Sequence, residues 1–429
     1  MLRALRHRNY RLFFSGQGTS LIGTWITRIA TSWLVYRLTG SATMLGLVGF
    51  AGQVPTFLLA PFAGVWVDRL DRYRVLVVTQ VLAMLQSFAL ASLALSGTIT
   101  VTHILLLSIV QGLINAFDTP ARQAFVVDMV EDRADVPNAI ALNSSMVNGA
   151  RLLGPSIAGV MIALVGEGWC FFADGVSYLA VIASLLAMRV ARRARPEGRA
   201  RVLRDLTEGF RYAFGFPPIR DALILLGLVS LMGMPYTVLM PIIAAKVLHG
   251  GAHTLGYLMS ASGIGALAGA LFLASRRSVV GLGRVIPIGA AIFGVSLAAF
   301  SFSRSLALSL VILIFAGTGF MVHMAATNTI LQTIVREEMR GRVMAFYTMA
   351  FMGTAPFGSL FAGALAARIG APVTILIGGL TCAIGGAIFA FRLPALRLLV
   401  RPIYREKGII PAIATGIGTA TSLRNEAQQ

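Results

Sequence analysis

The chain has 429 residues, 57% of them hydrophobic and 12% charged, with 36 Lys and Arg against 17 Asp and Glu and a formal charge of +19. A mean hydropathy of +0.80 exceeds what a water-soluble domain carries without exposing large apolar patches, which places the protein in a lipid bilayer. Basic charge on this scale also suits nucleic acid, but the Lys and Arg sit in short breaks between long apolar runs, so no nucleic-acid partner is expected.

Runs of about 20 apolar residues, enough to cross a hydrocarbon core of about 30 Å, predict twelve helices: 12–36, 42–67, 74–96, 101–121, 138–165, 168–188, 220–247, 254–275, 284–303, 305–332, 340–367 and 372–391. Continuous apolar character separates them from the alternating segments of a β-barrel. The first run follows Arg3, Arg6, Arg8 and Arg11 but is too long for a signal peptide and lacks a small-residue cleavage site, so it stays as a span. With the amino terminus inside, only Arg37, Lys246, Arg304 and Arg368 approach the outer face. That distribution predicts a plasma (bacterial-type inner) membrane protein with both termini cytoplasmic.

Several spans carry charge, which is costly in lipid and calls for a partner or a water-filled cavity. Arg28 lies beyond the middle of span 1, Asp118 and Arg122 one turn apart in span 4, Arg151 near the middle of span 5 and Asp174 in the outer half of span 6. Arg28 and Asp174 have matching depths and are expected to form an ion pair. His323 in span 10 is a group that titrates near neutrality. These five charges and His323 are candidates for binding or coupling, with structural ion pairing as the competing role. Uncharged polar groups, among them Gln17, Gln53, Gln111, Asn115, Asn143 and Asn148, and large side chains such as Trp25, Trp33, Phe50, Phe57 and Met240 suit an amphipathic cavity.

A polar break at 189–219, rich in arginine, divides the spans six and six. Its stretch 202–214 has apolar residues at helical spacing and is expected to lie on the membrane surface. The organisation is then an amino-terminal bundle 1–188, a cytoplasmic linker 189–219, a carboxyl-terminal bundle 220–392 and a cytoplasmic tail 393–429. The halves align at an offset of 210 through SLIG (20–23) and SLMG (230–233), and ATMLGL (42–47) and AHTLGY (252–257); a second register of 201 lays Pro155 on Pro356. This is an internal duplication, which in membranes points to two bundles rocking about a site between them.

Between spans 2 and 3, Gly64, Asp68, Arg69 and Arg72 stand in a pattern that resembles the loop signature of the major facilitator superfamily, departing from it at Asp71 and Tyr73. The stretches NAFDTPARQAFVVD (115–128), NGARLLGP (148–155) and RGRVMAFY (340–347) resemble the branch that contains the enterobactin exporter and macrolide efflux proteins, the transmembrane secretion effectors. The resemblance implies an all-α membrane fold of twelve helices in two pseudo-symmetric six-helix bundles. Gly64 permits close helix approach, and Asp68 with the arginines is expected to latch the bundles together on the inside. In span 5, Arg151, Gly154, Pro155 and Gly159 resemble part of the superfamily's exporter signature, with the first Gly displaced and Ala158 in place of a Gly; Pro155 suits a pivot.

The expected function is secondary active transport by alternating access: an ion-gradient-driven exporter, with protons as the coupling ion, of a small amphipathic molecule such as a siderophore or drug. Import by the same fold and a non-transporting receptor or scaffold are the alternatives. No phosphate-binding loop and no paired nucleophile and base at one depth mark an ATPase or a membrane enzyme. Cys170 and Cys382 build neither a disulfide nor a metal site, no cofactor is expected, and the chain is expected to be a monomer.

Overall fold

The computed structural model describes residues 3–189, 202–276 and 278–409, with the side chains of residues 60, 61, 64, 65, 68, 69, 133, 148 and 202–206 outside the described set. Among the described residues it is helical throughout. Helices α1 (Arg8–Thr39), α2 (Ala42–Arg69), α3 (Arg72–Leu95), α4 (Val101–Phe125), α5 (Val136–Val165) and α6 (Glu167–Leu186) form the amino-terminal half. After α7 (Val202–Gly215), the second half is α8 (Pro217–Leu228) continued by α9 (Tyr236–Ile242), α10 (Ala252–Ala274), α11 (Leu282–Phe302), α12 (Leu306–Ile334), α13 (Glu337–Thr348) continued by α14 (Ala355–Ile369), and α15 (Ala371–Glu406).

Eleven of these spans are long and apolar enough to cross a membrane. The twelfth, α1, is 32 residues long but diluted by Arg, Gln, Ser and Thr, and it packs between α5 and α6. The spans follow the predicted order, except that α15 runs on through Glu406, well past the expected end of span 12.

Local chemistry sets the boundaries. Gly40, at φ 58°, closes α1 in the left-handed conformation that costs a glycine least. The Ser41 hydroxyl accepts from the Met44 amide to start α2, and the Asp71 carboxylate accepts from the amides of Tyr73 and Arg74 to start α3. Asp71, where the sequence departs from the loop signature, is thus a helix cap. Thr100 and His103 cap α4 reciprocally.

Two spans are interrupted. Wider π-type turns occupy Val229–Gly233, between α8 and α9, and Met349–Gly353, between α13 and α14. Pro235 and Pro356 follow them and cannot supply the amides that would continue a regular ladder. The Ser230 hydroxyl donates to the Phe351 carbonyl, tying the two interruptions together. Pro155, the expected pivot, lies inside α5, and the π-type turns sit in spans 7 and 11.

Within each half, helices approach through small residues. Gly16 and Gly23 of α1 lie against Ser184 and Asp174 of α6, and Gly294 of α11 against Gly379 of α15; a methyl group at any of these positions would overlap its neighbour. The duplication also needs a register correction. Gly46 of α2 and Gly256 of α10 are 210 residues apart and do equivalent work, as expected, whereas in spans 5 and 11 the equivalent glycines are Gly159 and Gly363, 204 apart. Gly166 and Gly370, also 204 apart, share a φ of 85° at the turns that follow. Pro155 thus corresponds to Ser359 and not to Pro356.

Helix α7 is not simply laid on a membrane. Glu208 pairs with Arg342 of α13 at 2.9 Å, the Tyr212 hydroxyl accepts from the Arg336 amide, and the rings of Phe210 and Phe214 pack on Phe346. The linker helix is docked on the second half.

Candidate functional site: the cleft between the halves

The halves meet along two crossings, α5 with α10 and α2 with α14, with α1 touching α9 between them. At the first, Gly159 faces Ala252, His253 and Gly256, and the hydroxyls of Ser156 and Ser260 are 2.6 Å apart. At the second, Gly46 faces Ser359 and Gly363, and the ring of Phe357 packs edge-on against Phe50 and Phe57, 5.8 and 5.7 Å between centroids. Gly46, Gly159, Gly256 and Gly363 all lie towards the α1–α2 turn end of the bundle, opposite the end that carries the basic α2–α3, α4–α5 and α12–α13 connections.

Arg151 projects from α5 across this division, its guanidinium 5.9 Å from the ring centre of Phe320 on α12. Phe320 continues into Phe293 and Phe351, and Phe293 into Tyr236, whose hydroxyl is 2.6 Å from that of Ser262. Arg28 of α1 is exposed and lies 5.1 Å above the ring of Trp25, a residue held against Gly154 of α5. It shares a helix face with Thr24, which reaches Tyr178 in the interior of the first half. An arginine at this depth costs about 2.5–3.5 kcal/mol even on the lenient insertion scale, and a cation over an aromatic face recovers roughly 0.5–2 kcal/mol of it.

The expected Arg28–Asp174 ion pair is absent. Asp174 is buried and accepts from the Ser87 hydroxyl at 2.9 Å, with the Ser177 hydroxyl at 3.5 Å and Gly23 of α1 packed directly on it. Matching depth along two helices does not fix the direction in which each side chain points; Asp174 faces α1 and α3, and Arg28 lies over Trp25. Asp118 does pair with Arg122, at 3.4 Å, and also accepts from Thr79 at 3.0 Å and Gln80 at 2.7 Å, a polar cluster joining α4 to α3. The Tyr178 hydroxyl lies 3.5 Å from that of Thr24. His323 is fully buried between α12 and α11, with Nδ1 3.2 Å from the Ile286 carbonyl, Nε2 without a partner, and Gly289 against its backbone. It packs inside the second half and is away from the cleft.

Of the loop signature, the side chains of Gly64, Asp68 and Arg69 fall outside the described residues. Arg72 reaches Asp128 at 3.4 Å, a contact within the first half and not across the halves. In the helix 5 motif, Gly154 and Gly159 make the close contacts above, whereas Gly149, the displaced glycine, has open space around it. Met240 is buried in the core of the second half. The side chain of Asn148 lies outside the described set. Phe320, which Arg151 meets across the division, and Phe357, which packs on Phe50 and Phe57, are residues at the meeting of the halves that pattern reading missed, because in continuously apolar runs nothing separates a residue facing the other half from one facing lipid; Phe357, the residue after Pro356, had the one usable signal.

Two six-helix halves related by duplication, crossing through glycines and leaving charged and aromatic groups between them, define a membrane transporter of the major facilitator fold. The description of the transmembrane secretion effector family matches residues 1–400, and the chain belongs to that family. It is 27% identical to the staphyloferrin A transporter of Staphylococcus aureus over 385 residues, 89% of this chain and 95% of the relative. It is 28% identical to the multidrug efflux pump Tap of Mycolicibacterium fortuitum over 89% and 94% of the two chains, and 23% identical to the enterobactin exporter EntS of Citrobacter koseri over 92% and 94%. Among solved structures it resembles a bacterial homolog of the human lysosomal transporter Spinster in an inward-facing, unoccupied conformation, with a TM-score of 0.70, 14% identity and coverage of 95% and 99%. A POT family transporter in complex with 5-aminolevulinic acid gives the same TM-score at 11% identity, over 91% and 96%. The protein is a multi-pass transporter and not an enzyme.

Proposed function

We propose that the protein is a secondary active exporter in the plasma membrane, acting as a monomer with both termini and the 189–219 linker in the cytoplasm, and that it moves a small amphipathic molecule of the siderophore or drug type by alternating access. The direction rests on the drug efflux pump and the enterobactin exporter among the relatives. Both glycine crossings, Gly46 with Gly363 and Gly159 with Gly256, lie at the end remote from the basic connections, the end we assign to the outside, and such contacts suit the cytoplasm-facing state of an alternating-access cycle. The siderophore and drug transporters among the relatives support the same substrate range.

Asp174 is the group we assign to proton coupling. It is a buried carboxylate held by hydroxyls alone, with Tyr178 one turn further along α6, and a carboxylate in that setting can gain a proton without breaking an ion pair. In right-side-out and inverted vesicles with an imposed pH gradient, export requires substrate uptake by the inverted vesicles and proton movement the opposite way; uptake only by right-side-out vesicles would make the protein an importer. Asp174→Asn keeps a group that can accept from Ser87, so it should reach the membrane at normal level and bind substrate while losing the response to the gradient. Gradient-driven transport at wild-type rate in this variant removes Asp174 from the coupling role.

A further inference from the structure

We infer that the cleft is built for an anion: an amphipathic compound whose acidic group is held between Arg28 and Arg151 while its apolar part lies against the aromatic wall. This rests on the protein being a transporter with its site between the halves, and it adds the charge of the cargo. The two arginines come from different helices, α1 and α5, which pack where Trp25, the ring beneath Arg28, meets Gly154, three residues after Arg151. Neither guanidinium donates a hydrogen bond to any described residue or pairs with a carboxylate; each rests on one ring, Trp25 and Phe320. The other membrane-embedded arginine named above, Arg122, is by contrast matched with Asp118 on its own helix.

Two cations within the apolar spans lack a counter-charge, and up to ten N–H donors are left without protein acceptors. An acidic group between them relieves both, and a planar carboxylate or phosphate matches the guanidinium fork. The carboxylates of the neighbourhood do not compete, since Asp174 is turned towards α3 and Asp118 towards Arg122. Apolar recognition is supplied separately, by Phe50, Phe57 and Phe357 at the α2–α14 crossing. A cationic drug would meet two guanidiniums and no available carboxylate.

The test uses one molecular shape with three charges. Naphthalene-2,6-dicarboxylate, its monomethyl ester and its dimethyl ester are titrated into the purified full-length protein, with binding read by calorimetry, and bis(aminomethyl)naphthalene serves as the cationic counterpart. Expected is an order of affinity of dianion, monoanion, neutral ester, then cation, with about tenfold between successive anionic charges. Arg28→Gln and Arg151→Gln should each weaken the dianion by about tenfold and leave the dimethyl ester unchanged. The charge series on the unaltered protein stands even where a variant fails to fold. Equal binding of dianion and diester, or tighter binding of the cation, overturns the inference, as do folded variants with an unchanged series. The outcome is separable from the proposed function: a preference for anions with transport only inward would reverse the direction and keep the site, whereas export of cations alone would keep the direction and discard it.

Discussion

The two crossings between the halves are equivalent by duplication and different in chemistry. Gly256 and Gly159 on one, and Gly46 and Gly363 on the other, bring backbones into contact in the same way. Beyond the glycines they diverge. Where α10 presents Ser260 to Ser156, the equivalent position of α2 is Phe50, which meets Phe357. The α5–α10 crossing then leads to Arg151, and the α2–α14 crossing to Phe57 and Gly353. Small residues are retained where two rigid halves must touch, and the side chains next to them have separated into a polar, charged wall and an aromatic one. A duplicated transporter obtains an amphipathic cleft this way from two copies of one scaffold.

The comparison is broken most severely at the glycines. A β-carbon at Gly256 would lie 2.7 Å from the Pro155 carbonyl oxygen and 3.0 Å from the Gly159 α-carbon, and one at Gly46 would lie 2.5 Å from the Ser359 carbonyl oxygen and 2.9 Å from the Gly363 α-carbon. These are backbone atoms that cannot rotate away. Overpacking on this scale costs about 1–3 kcal/mol, enough to shift a two-state equilibrium roughly 5- to 150-fold. Gly256→Val and Gly46→Val should both insert in the membrane, separate spin labels placed on the α1–α2 and α9–α10 turns, and lose most transport. If only one of the two separates the labels, the crossings do not share the sealing role that their geometry implies.

The fold was legible because its determinants are long and additive. Twelve apolar runs, one arginine-rich break and the SLIG/SLMG repeat identify spans and halves without reference to any single side chain. The cleft was legible only in part. Arg151 and Arg28 stood out as charges in apolar surroundings, but the direction each side chain faces is a tertiary property, so Arg28 was matched with Asp174, which the structure turns to Ser87. His323 suggested a titrating group, and the structure places it inside the second half against the Ile286 carbonyl, a position that its run does not reveal. Phe320 carries no mark within its run. The register of spans 5 and 11 slipped by three residues because Pro155 and Pro356 match by identity, while the backbone equivalence follows Gly159 and Gly363.

The aromatic crossing supplies an intermediate effect. Phe357 makes two edge-on ring contacts, with Phe50 and Phe57, and such pairs contribute about 0.5–1.5 kcal/mol each beyond the area they bury. Phe357→Ala should weaken the seal by about 1–3 kcal/mol and reduce binding of neutral and anionic naphthalene probes alike, since it removes apolar wall and leaves the arginines in place. Phe357→Leu should restore much of the seal and little of the probe binding. A variant that loses only anion binding would mean that Phe357 acts by positioning Arg28 or Arg151, and the division into a charged and an aromatic wall would fail.

The smallest effect is expected at the polar crossing. The Ser156 and Ser260 hydroxyls are 2.6 Å apart, yet hydrogen bonds between membrane helices average only about 0.6 kcal/mol. Ser260 also has the Leu152 carbonyl at 3.5 Å as an alternative acceptor, so removing its partner does not strand it. Ser156→Ala should therefore change the ratio of sealed to open protein by about threefold or less, measured with the same pair of spin labels, and leave the affinity for the anionic probe unchanged. The crossing would still be held by Gly159 against Gly256, which the substitution does not touch. A shift as large as that of Gly256→Val would show that the hydroxyl pair, and not the glycine contact, closes this side, and the two crossings would then be equivalent in position only.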